Sequence, residues 1–201
     1  MISLPAKDVF RIVTYNINSV RSNFSDVHYI IKSYAPMAIA LSETMLPPSL
    51  LRKTYPFPGY RWVTPKHYER GHAILLRLHI GYKFIEKPNT ESLWLRLSHD
   101  DQHFYLATGY NRPNTTKVLQ DVCCNVETLD PEHLCIITGD FNARHRVWCH
   151  GHNSAGTYLH NFVARNGFSV ENPHMETCVR YNGTSTIDLF ATNQPDKVRN
   201  V

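Results

Sequence analysis

The pattern of hydrophobic and polar positions predicts that the chain opens with a strand, a helix and a second strand. Residues 9–15 are β-rich and partly alternating, and residues 37–41 form a continuous apolar run, as in a buried parallel strand. Between them, apolar residues at helical spacing predict a helix that Ser25 or Asp26 caps and Pro36 ends. Each of the two strands stops in a group of polar side chains.

The middle of the chain predicts irregular and antiparallel structure. Residues 47–70 are rich in Pro, Tyr and basic groups, and they predict a long surface excursion with one short strand at 60–63. Strand-like segments follow at close spacing, which favours antiparallel pairing; they cover residues 71–77, 82–86, 92–97 and 104–109. An apolar stripe over residues 118–129 predicts the next helix, which Pro131 closes.

The segment 134–144 restricts the architecture most. Its first half is an apolar, partly β-branched run that predicts a buried strand, and this strand stops at Gly139 just before Asp140 and Asn142. In extended geometry Asp140 and Asn142 point to one side while Phe141 points to the other. On these residues alone, the alternative is a strand that ends in an Asx-type turn with no further function. The remaining pattern predicts a helix stopped at residues 166–167 and closing strands at 168–170, 177–181 and 185–191.

Composition and charge change this picture little. The 201 residues suit one domain with a sizeable core, and 42% hydrophobic and 19% charged residues are ordinary for a globular protein. A formal net charge of +4 modestly favours binding to polyanionic partners. The five cysteines show no CxxC pattern, which favours reduced thiols over a disulfide framework. We find no signal peptide or membrane-spanning run, and expect a soluble protein of the nucleus or cytoplasm with no membrane partner.

The polar residues at or near the strand ends form an ordered set: Asn16, Asn18, Glu43, Tyr110, Asp140, Asn142 and Asp188. In this order and spacing they resemble the endonuclease/exonuclease/phosphatase superfamily, and the motifs span nearly the whole chain. Residues 139–148 and 110–114 resemble jockey-like non-LTR retrotransposon endonucleases in particular. The resemblance implies one domain over residues 1–201 with the four-layered α/β sandwich of DNase I, in which two packed mixed sheets are flanked by helices.

The resemblance also implies an apurinic-endonuclease-like enzyme that nicks DNA and so primes reverse transcription within a retrotransposon polyprotein. It implies Mg²⁺ as cofactor, or Mn²⁺ in its place, DNA as partner, and a reverse transcriptase domain of the same polyprotein if the chain continues. The resemblance assigns catalytic roles to Asp140, Asn142, Tyr110, Asp188 and Asn16. It assigns metal binding to Glu43 and Asn18. It assigns DNA binding to Arg112, Arg144, Arg146 and Thr177.

These residue types suit phosphodiester hydrolysis, which needs neutralised charge, a deprotonated water and a stabilised leaving oxygen. Glu43 is a hard oxygen ligand of the kind Mg²⁺ prefers, and Asp140 is the candidate that orients or deprotonates the water. Asn142 can hold that water and the phosphate, and Tyr110 can donate to a phosphate oxygen. Taken singly, each of these residues is explained as a turn, strand-end or rim residue, so the prediction rests on their joint occurrence.

The sequence departs from the family pattern in three places. His72 stands where a second glycine is usual, and Met45 stands where a histidine is common. The third departure concerns chemistry, because the family's Ser-Asp-His motif has no counterpart up to Val201. We therefore expect the C-terminal strand to be missing, Asp188 to lack the histidine it would orient, and residues 186–191 to form an exposed sheet edge. Residues 1–201 alone are expected to be poorly soluble and nearly inactive, with weak, salt-sensitive DNA binding.

Two other functions stay open on the sequence. One is a phosphatase or sphingomyelinase-like hydrolase of the same fold, which the pattern at residues 139–148 disfavours. The other is a catalytically dead relic that keeps a DNA groove, which the absent Ser-Asp-His motif favours. His145, His150 and His152 with Cys149 suggest a zinc site, but their spacing fits no standard zinc pattern, and solvated loop histidines are favoured.

Overall fold

The strands form two larger sheets and one separate hairpin. A computed structural model describes residues 10–65, 71–85, 91–99, 102–126, 128–172, 174–180 and 183–198. The first sheet consists of β1 (Ile12–Asn16), β2 (Ala38–Ser42), β3 (Tyr60–Val63) and β4 (Ala73–Arg77), in the order β1-β2-β4-β3. The pair β1–β2 is parallel and the other pairs are antiparallel. The predicted strand–helix–strand opening is therefore confirmed.

The second sheet has six strands in the order β5-β6-β7-β8-β12-β9. Its members are β5 (Gly81–Phe84), β6 (Leu93–His99), β7 (Gln102–Tyr110), β8 (Cys135–Asp140), β9 (Ser169–Val170) and β12 (Asp188–Thr192). Only β7 and β8 pair in parallel within it. The strands β10 (Cys178–Arg180) and β11 (Gly183–Ser185) form a two-stranded hairpin beside this sheet. The predicted run of antiparallel strands is thus divided between the two sheets.

The helices cover the outer face of each sheet. They are α1 (Val20–Tyr34), α2 (Pro48–Thr54), α3 (Lys117–Val126) and α4 (Ser154–Asn166), and a short 3₁₀ turn spans Pro195–Lys197. One core joins α1 and α2 to the first sheet, and a second joins α3 and α4 to the six-stranded sheet. A third core lies between the two sheets. The molecule is therefore the four-layered α/β sandwich that the sequence predicted. No helix in the described ranges is long and apolar enough to cross a bilayer.

Strand alternation decides which residues meet between the sheets. On β2, Ile39 and Leu41 pack against the helices, while Ala38 belongs to the core between the sheets. On β8, Ile137 packs toward the helices and Ile136 packs between the sheets. Because side chains alternate, the last residue of each strand, Ser42 on β2 and Asp140 on β8, faces the opposite sheet.

Two helix predictions need correction. The first helix begins at Val20, ahead of the predicted caps, because its first amides are satisfied from another part of the chain: Ser19 N donates to Glu43 O (2.8 Å) and Val20 N to Thr44 O (3.2 Å). Asp26 instead accepts a hydrogen bond from the Tyr15 hydroxyl at 2.7 Å. Helix α2 lies within the predicted surface excursion, where a proline fits the first turn and Leu51 is fully buried.

The predicted exposed edge at residues 186–191 is wrong. Strand β12 has β8 on one side, while on the other Ala191 and Thr192 pair with β9. The Asn172 carboxamide covers the rest, since its Nδ2 donates to Asp188 O (2.8 Å) and its Oδ1 accepts from Phe190 N (2.9 Å). A side chain thus supplies the hydrogen bonds of a neighbouring strand, which the period-2 pattern does not reveal.

Candidate active site

The candidate residues meet where strands of both sheets end. Parallel pairing of β1 with β2 brings Asn16 beside Ser42, and parallel pairing of β7 with β8 brings Tyr110 beside Asp140. Strand β12 runs the other way, so its first residue, Asp188, is the register partner of Asp140. Because β1 and β2 both pack against β8, these strand ends form one edge between the sheets. Asp140 N donates to the buried Ser42 Oγ at 3.4 Å across that gap.

Asn16 connects the two carboxylates that the sequence singled out. Its Nδ2 donates to Glu43 Oε1 at 3.1 Å and to Asp140 Oδ2 at 2.8 Å. Glu43 and Asp140 are far apart in the chain and belong to different sheets, yet both lie within reach of one nitrogen. An amide that bridges two carboxylates fixes their separation and leaves their other oxygens for further ligands. This contact is the structural centre of the site.

Asp140 is a desolvated carboxyl group. Its residue is only 2% exposed, and burial raises its pKa to about 7, with a further increase from the negative charge of Asp188 and a smaller one from Glu43. The hydrogen bonds from Asn16 and from the backbone of Asn142 act in the opposite direction and lower the pKa. A carboxylate whose pKa lies near neutrality can accept a proton during a reaction and release it afterwards.

Asn142 fits both explanations that the sequence left open, an Asx-type turn and a site residue. Its N–H donates to Asp140 Oδ1 at 3.1 Å, which is the Asx-type turn of the alternative explanation, and its φ of 45° is left-handed rather than extended. The turn also brings the Asn142 side chain back to the strand ends, where its Nδ2 donates to Asn111 O at 3.0 Å. The local turn is therefore the device that orients a site residue.

The loops that carry Glu43 and Asn18 are held against each other. Glu43 is half-buried with a φ of 53°, a backbone conformation that costs energy for a residue other than glycine. Asn18 is exposed, its N–H donates to Asn16 Oδ1 at 3.0 Å, and the next residue, Ser19, donates its N–H to Glu43 O. Asn23 fastens the same loop by donating Nδ2 to Ile17 O (2.8 Å) and Asn18 O (3.1 Å).

Asp188 and Thr177 form the far side of the site. The Thr177 hydroxyl oxygen accepts from the backbone amides of both Ile187 and Asp188 at 3.0 Å, so it positions the start of β12. Burial raises the pKa of Asp188 to about 6, a hydrogen bond from Thr177 opposes this rise, and the charge of Glu43 adds to it. Asp188 Oδ1 is buried without a hydrogen-bond partner among the residues that the structure describes. This oxygen can therefore accept a hydrogen bond from a further donor.

Tyr110 and the three arginines surround this edge. Tyr110 is 8% exposed, and its register with Asp140 places both side chains on the same face of the six-stranded sheet. Arg112 and Arg146 are exposed and Arg144 is half-buried. They follow the ends of β7 and β8 by two to six residues, so their backbone lies near the site.

Two further asparagines organise the site, and sequence reasoning missed both. Asn111 is fully buried: its backbone N–H donates to Asp140 O (2.9 Å) and its Nδ2 to Phe141 O (3.2 Å). Asn153 caps α4 through Gly156 N (2.8 Å), accepts from Arg144 N (3.0 Å) and donates to Asn142 O (2.7 Å). Asparagine just before a helical stretch is a recognised cap signal and could have identified Asn153.

Glycines allow the close approaches on which this arrangement depends. Gly139 has a φ of 148°, and a Cβ there would lie 2.3 Å from Gly109 O on the neighbouring strand. In α4, a Cβ on Gly156 would lie 1.7 Å from Arg144 O. The loop after Asn142 can therefore rest directly on the helix only because position 156 has no side chain.

The donor set at this edge fits a hard divalent cation. Glu43 offers a half-buried carboxylate, Asn16 and Asn18 lie beside it, and the nearby Asp140 and Asp188 concentrate negative charge that a cation would offset. Mg²⁺ binds through one or two carboxylates and keeps several waters, so it does not require a protein cage. Within the described ranges, no three His, Cys, Asp or Glu side chains are arranged to hold a metal by themselves.

Comparison with known proteins gives one matching family and several similar folds. The model of a family described as endonuclease-reverse transcriptase matches residues 104–201. The fold is similar to the endonuclease domain of TRAS1, a telomere-specific non-LTR retrotransposon, with 15% identity, 90% of this chain and 84% of that chain covered, and a TM-score of 0.69. No curated protein matches the chain.

Two further solved structures share the same architecture. An AP endonuclease from Archaeoglobus fulgidus is 16% identical, with 92% of this chain and 87% of that chain covered and a TM-score of 0.65. TDP2 of D. rerio, solved with a single-strand DNA product, is 18% identical, with 90% and 82% covered and a TM-score of 0.63. At these identities the similarity to solved structures establishes the fold.

Family model, fold and motifs agree with one another. Residues 104–201 match the endonuclease-reverse transcriptase family, and the fold is similar to that of a retrotransposon endonuclease domain and of an AP endonuclease. These matches agree with the resemblance to retrotransposon endonucleases that residues 139–148 carry.

Proposed function

We propose that the chain is a metal-dependent endonuclease that nicks one strand of DNA and leaves an end from which reverse transcription is primed. The observation that carries the proposal is the Asn16 amide, which joins Glu43 and Asp140 at the edge between the two sheets. Phosphodiester hydrolysis needs one carboxylate to hold a cation and another to handle a water, fixed relative to each other. This pair meets that requirement.

In this proposal Asp140 takes the proton of the attacking water. Its buried carboxylate, with a raised pKa, favours the proton, and its hydrogen bond from the Asn142 amide fixes the orientation of Oδ1. Asn16 donates a hydrogen bond to Oδ2 and so fixes the orientation of the Asp140 carboxylate. Asn142, which is itself tied to Asn111 O, places its carboxamide beside the water and the phosphate.

Glu43 and Asn18 would hold the divalent cation, Mg²⁺ or Mn²⁺, which when bound would neutralise charge on the phosphate and on the leaving oxygen. The left-handed backbone at Glu43 is fixed by hydrogen bonds from Ser19 N to Glu43 O and from Thr44 N to Gly71 O, and it turns the carboxylate toward Asn16. The strained loop is thereby preorganised for its ligand.

Tyr110 and Asp188 act on the phosphate. Tyr110 donates its hydroxyl to a non-bridging oxygen, and Asp188 offers its unpartnered Oδ1 as a hydrogen-bond acceptor beside that phosphate. Thr177 contributes by holding the backbone of Asp188. The guanidinium groups of Arg112, Arg144 and Arg146 contact phosphates along the duplex, which positions the DNA without reading its bases.

The partner and the compartment follow from the reaction. The matching family's description names a reverse transcriptase, and a nick primes such an enzyme if the two activities belong to one polyprotein. The chain then works inside the cell, in the nucleus or the cytoplasm, wherever it meets DNA.

A plasmid assay tests the proposal. Supercoiled plasmid is incubated with the purified chain in excess over DNA, with Mg²⁺, with Mn²⁺ or with EDTA, beside Asp140→Ala and a matched Asp130→Ala control on the exposed turn before β8. We expect slow but metal-dependent nicked circles from the chain and from the control, and a further loss of about a hundredfold or more in Asp140→Ala. Equal nicking by Asp140→Ala and the chain would overturn the roles assigned to the site. DNA binding without any nicking would favour the catalytically dead relic, and release of phosphate from monoesters alone would favour a phosphatase.

A further inference from the structure

Three imidazole rings gather on the loop that leaves the site and on the helix beneath it. The ring of His145 stacks on that of His160 in α4, with centroids 4.1 Å apart and planes 21° apart. The His152 ring lies 6.0 Å from His145, and the Trp148 ring lies 5.1 Å from it. The proposed reaction uses none of these rings.

The cluster belongs to an ordered loop, in which contacts with neighbouring residues hold the rings. Trp148 is fully buried beside it, and its indole N–H donates to Ala143 O at 2.9 Å. The backbone amides of Trp148 and Cys149 both donate to His145 O, at 3.0 Å and 2.9 Å. The His152 Nε2 pairs with the Thr157 hydroxyl at 2.7 Å. The imidazoles are therefore held in place before any ligand arrives.

The charged groups that act on His145 are all positive. The sequence contains no Asp or Glu between Asp140 and Glu171, while the loop carries Arg144 and Arg146 beside the histidines. The pKa of His145 is lowered, first by desolvation and then by His160 on α4 and by His152 and Arg146 on the loop. His150 is not part of the set, because it lines a separate small cavity together with Glu176.

His145, which stacks on His160 and lies near Arg146, resists protonation until an anion joins the cluster. A phosphate supplies that anion: it attracts protonated rings and accepts their N–H groups, as it does those of Arg. The loop leaves the candidate site at Asn142, only three residues before His145, so a duplex held at Asp140 would run over or beside these rings.

We propose that His145, His152 and His160, together with Arg144 and Arg146, form a surface that binds a backbone phosphate next to the scissile one and strengthens this contact by taking up protons. The inference rests on the proposed function in one respect, that the ligand is DNA. It adds that binding is coupled to protonation of this cluster. The surface contacts the sugar–phosphate backbone and is indifferent to base sequence.

The experiment measures duplex affinity by fluorescence anisotropy without metal, at about pH 7.5 and about pH 6, across the range in which imidazole ordinarily titrates. One proton taken up on binding tightens affinity by up to about tenfold per pH unit. Asp140 and Asp188 also titrate near this range, so the informative quantity is the difference between variants. The comparison is between the chain, His145→Gln/His160→Gln, the exposed single variant His152→Gln, and the control His103→Gln at the opposite end of β7.

We expect the chain and the control to gain about tenfold more affinity on acidification than the double variant, with His152→Gln in between. Identical pH dependence in all four proteins would overturn the proposal. The single variant keeps the test decisive if the double variant does not fold, because His152 is exposed. Nicking at about pH 8, above the ordinary imidazole range, separates this inference from the proposed function. If the chain does not nick DNA at about pH 8 but the variants still differ in the pH dependence of their DNA affinity, the proposed function is wrong and the binding surface is supported.

Discussion

The buried carboxyl of Asp140 allows a prediction of stability that does not depend on catalysis. Replacement by Asn keeps the shape of the side chain and removes its charge. The pKa is about 7 in the folded protein against 3.8 ordinarily, so the folded state holds this proton more tightly than the unfolded chain does. Above the folded pKa, the charged carboxylate therefore destabilises the metal-free protein, and the effect disappears as the pH falls toward the unfolded pKa.

The magnitude follows from the shift and from the hydrogen bonds that change. A shift of about three units corresponds to about 4 kcal/mol at high pH, an upper value because Asp188 and Glu43 titrate together with Asp140. An amide at position 140 can still accept from Asn142 N, but it loses the contact with Asn16 Nδ2, worth about 1 kcal/mol. We expect Asp140→Asn to be about 2–3 kcal/mol more stable than the chain at about pH 8, and no more stable at about pH 4.

Urea unfolding in EDTA, followed by tryptophan fluorescence between about pH 4 and about pH 8, gives the two free energies. Asn172→Asp supplies a contrast, because it places a new carboxylate beside the same strand and should destabilise most at high pH. If Asp140→Asn were less stable than the chain at about pH 8, or if its advantage did not vary with pH, the assignment of a desolvated carboxylate at the centre of the site would be wrong.

Three further predictions concern the metal, the loop and the DNA. Mg²⁺ should raise the melting temperature of the chain and leave Glu43→Gln nearly unchanged, since the carboxylate holds the cation, and an equal response in both proteins would count against Glu43. Asn153→Ala should lower the free energy of unfolding in urea by about 2 kcal/mol, because Asn153 caps α4 and also forms hydrogen bonds with residues 142 and 144. The control Asn166→Ala, at the other end of α4, should lower it by well under 1 kcal/mol. Arg146→Gln should reduce the slope of log affinity against log salt by about one, and an unchanged slope would remove it from the DNA contacts.

The sequence predicted those parts of the fold in which local pattern and tertiary environment agree. The strand that ends at Asp140 is apolar, β-branched and buried throughout, so every level of description favours the same structure. The end of α4 is marked by Gly167, which adopts the left-handed conformation at its C-cap. The start of α1 could not be predicted, because the carbonyls that satisfy its first amides belong to Glu43 and Thr44 in a later segment.

The same division holds at the site. Polar residues at strand ends identified Asn16, Glu43 and Asp140, since parallel strands bring such ends to one edge. That one carboxamide nitrogen would join the two carboxylates across two sheets depends on how the sheets pack, which no local pattern encodes. Asn111 was missed because the contacts that tie it to the site, with Asp140 O and Phe141 O, are made to backbone far along the chain, and a buried Asn is normally explained as a turn residue.

The central claim is that the edge between the sheets breaks phosphodiester bonds of DNA with Asp140 as the proton acceptor and a cation held at Glu43. The most direct test is single-turnover cleavage of an end-labelled duplex with Mg²⁺, in which the product ends are identified by whether a polymerase extends them. The account predicts cuts in one strand that leave an extendable 3′-hydroxyl, lost in Asp140→Ala and in Glu43→Gln while both variants still bind the duplex. Cleavage that persists in both variants, or products that no polymerase extends, would contradict it.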